Sequence, residues 1–282
     1  MSASPSSAAQ AARERLAARL QVLRVDAGLS GQELALRCGW SASKRSRIEN
    51  ARTPPSDADV RDWCAACDAN DQAPDLIAAN QQADEMYVHW KKLHRHGMRR
   101  AQSDVLPLYV QTRHFRIYCS NVVPGILQTE AYATALLGTI ARFQQTPDDA
   151  PAAAASRLER SDLLHEGNHT FAFLLEETVL RYRIGDTATM SAQLGYLLAV
   201  MPLHNVSLGI IPFSAERTMW PLEAFYLFDD HRVSSELLTA AVNVTAPSEI
   251  QTYAEAFAAM SRQAVYGSHA RALITEAITS LG

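Results

Sequence analysis

Residues 28–50, GLSGQELALRCGWSASKRSRIEN, decide how this chain is read. Ser30 stands before an apolar pattern and has Glu33 three residues on, the capping-box arrangement that opens a helix. That helix carries Leu34, Ala35 and Cys38 and stops at Gly39. Ser41 then caps a second helix reaching Asn50. Two short helices joined by a Gly-containing turn form a helix-turn-helix unit. Upstream, Leu16, Leu20 and Leu23 make one apolar helix face with Arg13, Arg15, Arg19 and Arg24 outside it, ended by Gly28. Downstream, Thr53-Pro54-Pro55-Ser56 breaks the chain, and 57–66 reads as a helix burying Val60, Trp63, Cys64 and Cys67.

A helix that reads DNA needs small polar and cationic side chains near the end that enters the major groove. Ser41 to Asn50 supplies them. Ser43, Lys44, Arg45, Arg47 and Asn50 are the expected contacts to bases or phosphates, with Ser41 and Arg52 on the DNA backbone and Ile48 pointing inward. On spacing alone, an Arg-rich helix is also an ordinary solvated face, and both readings stand. The segments Gly28-Leu29-Ser30, Glu33-Leu34-Ala35 and Trp40-Ser41 through Ser46-Arg47-Ile48-Glu49 resemble the xenobiotic-response-element (Cro/C1-like) helix-turn-helix regulators. The resemblance covers about the first quarter of the chain and implies DNA binding. Arg45 occupies a slot where that family usually carries Val or Ile, so it either snorkels out of the small core or joins the DNA contacts.

The whole composition points the other way. The 282 residues are 48% hydrophobic and 20% charged, a globular profile long enough for two unequal domains, with a net charge of −4. The charge is uneven: residues 1–100 hold 15 Lys+Arg against 12 Asp+Glu, and residues 101–282 hold 11 against 18. No stretch approaches the roughly 18 apolar residues of a membrane span, Met1 to Gln10 lacks the basic region of a secretory signal, and four cysteines make no disulfide scaffold. A cytoplasmic protein without membrane contact is expected.

Cys64-Ala65-Ala66-Cys67 is a C-x-x-C motif, but no second Cys/His pair accompanies it and it falls inside a helical bundle. Core packing is the expectation, and no metal or cofactor is assigned. His89, His94 and His96 lie in a basic stretch with Lys91, Lys92, Arg95, Arg99 and Arg100. It reads as an amphipathic linker helix from Asp84 to about Ala101, packing Met86, Val88 or Trp90 and Leu93, with phosphate contact as a secondary role.

The organisation expected is a flexible N-terminus (1–10), a helix-turn-helix domain (11–80), a linker helix (81–106) and a larger domain (107–282). In the last, short β-rich segments at 115–118, 170–176, 206–212, 224–228, 234–238 and 241–244 alternate with helices at 130–140, 187–201, 248–266 and 268–281, and a further helix leads through Arg157, Leu158 and Arg160 to His165. The fold class is α+β: an all-α front domain, then a mixed domain with a mainly antiparallel sheet and flanking helices. Glu176-Glu177, Asp229-Asp230, His204 and His231 are the residues from which acid–base chemistry would be built, but no nucleophile elbow, zinc-protease motif or phosphate loop accompanies them. No catalytic residue is assigned.

Asn121-Val122-Val123-Pro124-Gly125-Ile126-Leu127-Gln128-Thr129-Glu130-Ala131-Tyr132-Ala133 resembles the P-G-L-L-Q-T-x-x-Y-A signature of a large bacterial regulator family. Arg157, Arg160, Glu176-Glu177 and Ile210-Ile211-Pro212-Phe213 also match its pattern. The resemblance implies a transcriptional regulator, sometimes antitoxin-like, whose C-terminal domain has a poorly defined role and which sits beside a small partner protein. The leading expectation is a sequence-specific regulator of double-stranded DNA, acting as a homodimer whose rear domain serves dimerisation, partner binding or ligand sensing. The alternatives are a module that captures a small protein or metabolite effector, and an enzyme fused to a DNA-binding head.

Overall fold

The computed structural model describes residues 5–81 and 87–282, with side chains from residue 13 onward except those of 81–89, 91 and 92. The chain divides into two compact units, residues 1–87 with 244–249, and residues 88–243 with 250–282.

The front unit is helical: α1 (Pro5–Asp26), α2 (Gly31–Arg37), α3 (Ala42–Glu49), α4 (Asp57–Ala66) and α5 (Ala73–Gln81). Because α1 begins at Pro5, the segment read as a flexible N-terminus is helical from there on; residues 1–4 lie outside the described residues. Serines set the starts. Ser30 and Ser56 each close a capping box, with Glu33 and Asp59, and the Ser41 hydroxyl accepts from the Lys44 N–H. Gly28 and Gly39 supply the left-handed backbone (φ 70° and 67°) that ends α1 and α2. Leu16, Leu20, Leu34, Ile48, Val60, Trp63 and Leu76 form one core, in which the buried Trp63 indole N–H donates to the Leu20 carbonyl at 2.9 Å. Burying an indole of that size is worth about 3–5 kcal/mol against Ala.

The linker does not form a single helix. Its described part is a strand β1 (Tyr87–His89), a turn of helix α6 (Trp90–Leu93), then α7 (Arg99–Asp104) and α8 (Leu106–Gln111). Gly97 breaks the run with φ 96°, and the Asp149 carboxylate accepts from the Met98 and Arg99 N–H groups beside it. The reading of Asp84 and Met86 lies outside the described residues, as do the side chains of Val88, His89, Lys91 and Lys92.

The rest of the rear unit is built from β2 (His114–Cys119), α9 (Glu130–Gln144), α10 (Ala150–Leu158), β3 (Thr170–Glu176), α11 (Glu177–Arg181), α12 (Thr187–Val200), β4 (Val206–Ile211), β5 (Phe225–Phe228), β6 (Arg232–Glu236), β7 (Ala240–Val244), α13 (Pro247–Ser261) and α14 (Gly267–Thr279). The helix expected to run to His165 stops at Leu158 and is followed by a 3-10 turn, Ser161–Leu164. The architecture is α+β, with a seven-stranded sheet in the order β1-β7-β6-β5-β2-β3-β4. The sheet holds both kinds of pairing: β2–β5 and β5–β6 are antiparallel, whereas β2–β3 and β3–β4 are parallel. The helices α9 to α12 lie in the connections between β2, β3 and β4, which is what parallel neighbours require. Register places Phe115 against Phe171 and Ile117 against Phe173. These apolar side chains pack with Leu194, Leu197 and Ile274 from α12 and α14 in the main core.

Candidate nucleic-acid interface

The helix α3 is held by its cap at Ser41 and by Ile48, which is buried in the front core. Its other side chains sort onto two faces, and the seven residues expected at DNA divide between them.

One face is turned into the domain. The Glu49 side chain, 6% exposed, accepts from Nε and Nη2 of Arg24 at 2.8 and 2.7 Å and also pairs with Arg45 Nη1. Arg24 further donates to the Leu29 carbonyl at 2.6 Å. The Arg45 guanidinium lies against Gly31 at the start of α2, where an added Cβ would meet its Cζ at 2.5 Å, and its Nε is sealed without a partner. The structure thus turns Arg45 inward, against Gly31 and Glu49. Arg24, expected outside the α1 apolar face, is drawn inward by the same carboxylate. Lys44 bonds Asp59 Oδ1 of α4 at 2.6 Å and lies over the Trp40 ring, 4.3 Å from its centroid. Burial would raise the Asp59 carboxyl, but the hydrogen bonds from Lys44 and Ser56 outweigh it and hold the group below its ordinary value.

The other face is open. Ser41, Ser43, Arg47 and Asn50 are exposed, as is Arg52 just beyond the helix. Arg47 Nη1 donates to the Ser43 hydroxyl at 2.8 Å, and Asn50 Nδ2 donates to the Ser46 carbonyl at 2.8 Å and to its hydroxyl at 3.3 Å. Residues 43, 46 or 47, and 50 fall one helical turn apart, so they form a single polar stripe. Ser46 belongs to it and was missed; its three-residue spacing from Ser43 is the signal that finds it. At the exit, Ala51 turns with φ 53°, and the Arg52 and Thr53 N–H groups donate to the Arg47 carbonyl at 2.8 and 3.2 Å. This fixes Arg52 at the end of the stripe. No carboxylate stands within ion-pair distance of Arg47 or Arg52 among the described residues.

The remaining expected residues find other uses. Cys64 and Cys67 are buried free thiols, and burial pushes Cys64 up to about 11 and raises Cys67, so neither is a thiolate at neutral pH. No metal-binding cluster of His, Cys, Asp or Glu occurs among the described residues. His94 is buried, bonded through Nδ1 to Gln144 Oε1 at 2.7 Å and stacked on Trp90, while His96 is exposed. Glu176 is held by Arg217 (2.8 and 2.7 Å) and by the Tyr118 hydroxyl, which donates at 3.0 Å. Glu177 pairs with Arg181 and accepts from the Phe213 N–H. Asp229 accepts from the His114 N–H at 2.8 Å, and Asp230 pairs with Arg116. His204 and His231 are exposed on loops. No helix among the described residues is long and apolar enough to cross a membrane.

Fold and stripe together define a helix-turn-helix DNA-binding regulator. Residues 15–76 match the family model described as a helix-turn-helix domain. Residues 102–276, more than half of the chain, match the model described as a domain of unknown function, DUF5753, and the chain belongs to that family. No curated protein matches it.

Proposed function

We propose that the protein is a sequence-specific transcriptional regulator of the repressor-like type, in which α3 enters the major groove and reads bases with Ser43, Ser46, Arg47 and Asn50. Ser41 and Arg52 take phosphates, and Lys44 and Arg45 serve the framework. The observation that supports this most is the outer face of α3, where Arg47 is free of any carboxylate while every inward cation of the helix has one. One such helix spans few base pairs, so the reading includes a homodimer on two half-sites. The rear unit, including the family region, is assigned to dimerisation, a small partner protein or a small effector, in the manner of an antitoxin-like regulator in the cytoplasm, and no catalysis is assigned to it. Its carboxylate pairs are engaged by Arg217, Arg181 and backbone N–H groups, which favours a structural role for them.

The test is selection of bound duplexes from a randomised pool by the full-length protein. The expected outcome is enrichment of a two-fold site whose halves lie about 34 Å, roughly one helical turn, apart. No enrichment over the input pool would contradict sequence-specific reading, and enrichment of a single half-site would contradict the homodimer.

A further inference from the structure

Arg157 and Arg160 stand apart from the other inward arginines of the chain. Arg24, Arg45, Arg181 and Arg217 each pair with a carboxylate. Arg157, in the last turn of α10, and Arg160, two residues beyond its end, have none within ion-pair distance among the described residues. Both donate instead to one neutral oxygen, Gln102 Oε1, at 3.0 and 2.6 Å. Arg157 Nη1 also donates to Gln128 Oε1 at 2.8 Å, and Gln128 is itself fixed by its Nε2 bond to the Val123 carbonyl at 2.7 Å. Arg160, 6% exposed, lies over the Tyr109 ring at 5.0 Å.

Two adjacent guanidinium groups in a protein interior repel each other and lose hydration, so a fold that holds them together ordinarily supplies an anion. Burial, and next the charge of Arg160, push Arg157 down to about 10, with Glu236 of β6 acting in the opposite direction. Glu236 is exposed and not in ion-pair contact, so the pair stays short of negative charge. Arg157 is half-buried, and its Nη2 makes no hydrogen bond to a described residue. The amide oxygens of Gln102 and Gln128 aim both guanidinium groups without neutralising them, the arrangement that bidentate recognition of a carboxylate or phosphate uses.

We propose that the rear unit binds a small-molecule oxyanion, a carboxylate or phosphate group, at Arg157 and Arg160. This deepens the effector role proposed for that unit and leaves DNA reading by α3 independent of it. The probes are inorganic phosphate and succinate, each titrated into the full-length protein against chloride at matched ionic strength. The readouts are the thermal midpoint and the rate at which phenylglyoxal modifies Arg157, located by mass spectrometry. One or both probes should raise the midpoint saturably and slow modification of Arg157 while leaving the exposed Arg183 unchanged, with phosphate and succinate separating the two anion sources. The response should persist in Arg47→Ala/Arg52→Ala, which removes the phosphate-seeking cations of the front unit. It should weaken about tenfold or more in Arg157→Gln. The protection readout on the unaltered protein keeps the test decisive if Arg157→Gln does not fold. A response no larger than that of chloride, meaning an adventitious ion only, would overturn the proposal. So would equal protection of Arg157 and Arg183, or loss of the response in the front-unit variant.

Discussion

On α3, the cations sort by helix face. Arg45 points inward onto Glu49 and Lys44, half-exposed, ties to Asp59, whereas Arg47, and Arg52 just beyond the helix, face outward onto nothing acidic. At the end of α10 and two residues beyond it, Arg157 and Arg160 both point inward, and neither has a carboxylate within ion-pair distance among the described residues. Three states of one chemical group follow: interior and paired, exposed and unpaired, interior and unpaired. The first builds structure, because removing either partner strands a desolvated charge. The second is free to meet a polyanion, because nothing inside the protein competes for it. The third is costly unless something outside the chain completes it. A basic run in a sequence does not distinguish these states; the counter-charge does.

The largest effect expected from breaking this pattern is at Glu49. Glu49→Ala leaves both Arg24 and Arg45 without their carboxylate, at 15% and 21% side-chain exposure. A loss of about 3 kcal/mol in urea denaturation is expected, the lower end for a broken buried pair. A loss below about 1 kcal/mol would mean that these two arginines are solvated like surface ones.

A smaller effect tests the Lys44–Asp59 tie. The Asp59 carboxyl is held below its ordinary value in the folded protein, so its contribution is present above the unfolded pKa and is lost as pH falls through the folded one. Acidification from about pH 4 downward should therefore destabilise the front unit. Asp59→Asn should lower stability near neutral pH and flatten this acid limb, with an effect of about 1 kcal/mol or less because Lys44 is 38% exposed. Thermal midpoints across that range check it, and an unchanged acid limb in the variant would assign the pH dependence to other carboxylates.

Much of the front unit was legible in the sequence. Ser30 with Glu33, and Ser41, mark helix starts, Gly28 and Gly39 mark ends, and Ile48, Val60 and Trp63 fall on their buried faces, all signals local to a turn of helix. The rear sheet was legible as strands but not as a topology, since β2, β3 and β4 pair in parallel across long connections that leave no local trace. The linker is not one helix because Gly97 overrides an otherwise amphipathic pattern, and Asp149, which caps the turn after it at Arg99, lies 50 residues further on. At the site, the sequence pattern marks the helix but not how its cations divide between an inward and an outward face. What draws Lys44 and Arg45 toward the domain is Asp59 on another helix in one case, and in the other Glu49, shared with Arg24 of α1. Whether a cation is spent inside the fold depends on partners far away in sequence.

The central claim is that the cations of α3 divide into readers and framework, and the comparison of Arg47→Ala with Arg45→Ala tests it most directly. Both full-length variants would be titrated with the selected duplex at one salt concentration and a temperature at which circular dichroism shows both folded. Arg47→Ala is expected to weaken binding about tenfold or more with an unchanged denaturation midpoint. Arg45→Ala is expected to keep its affinity within about twofold while its midpoint falls. Wild-type affinity in Arg47→Ala, or a loss in folded Arg45→Ala equal to that of Arg47→Ala, would contradict the division.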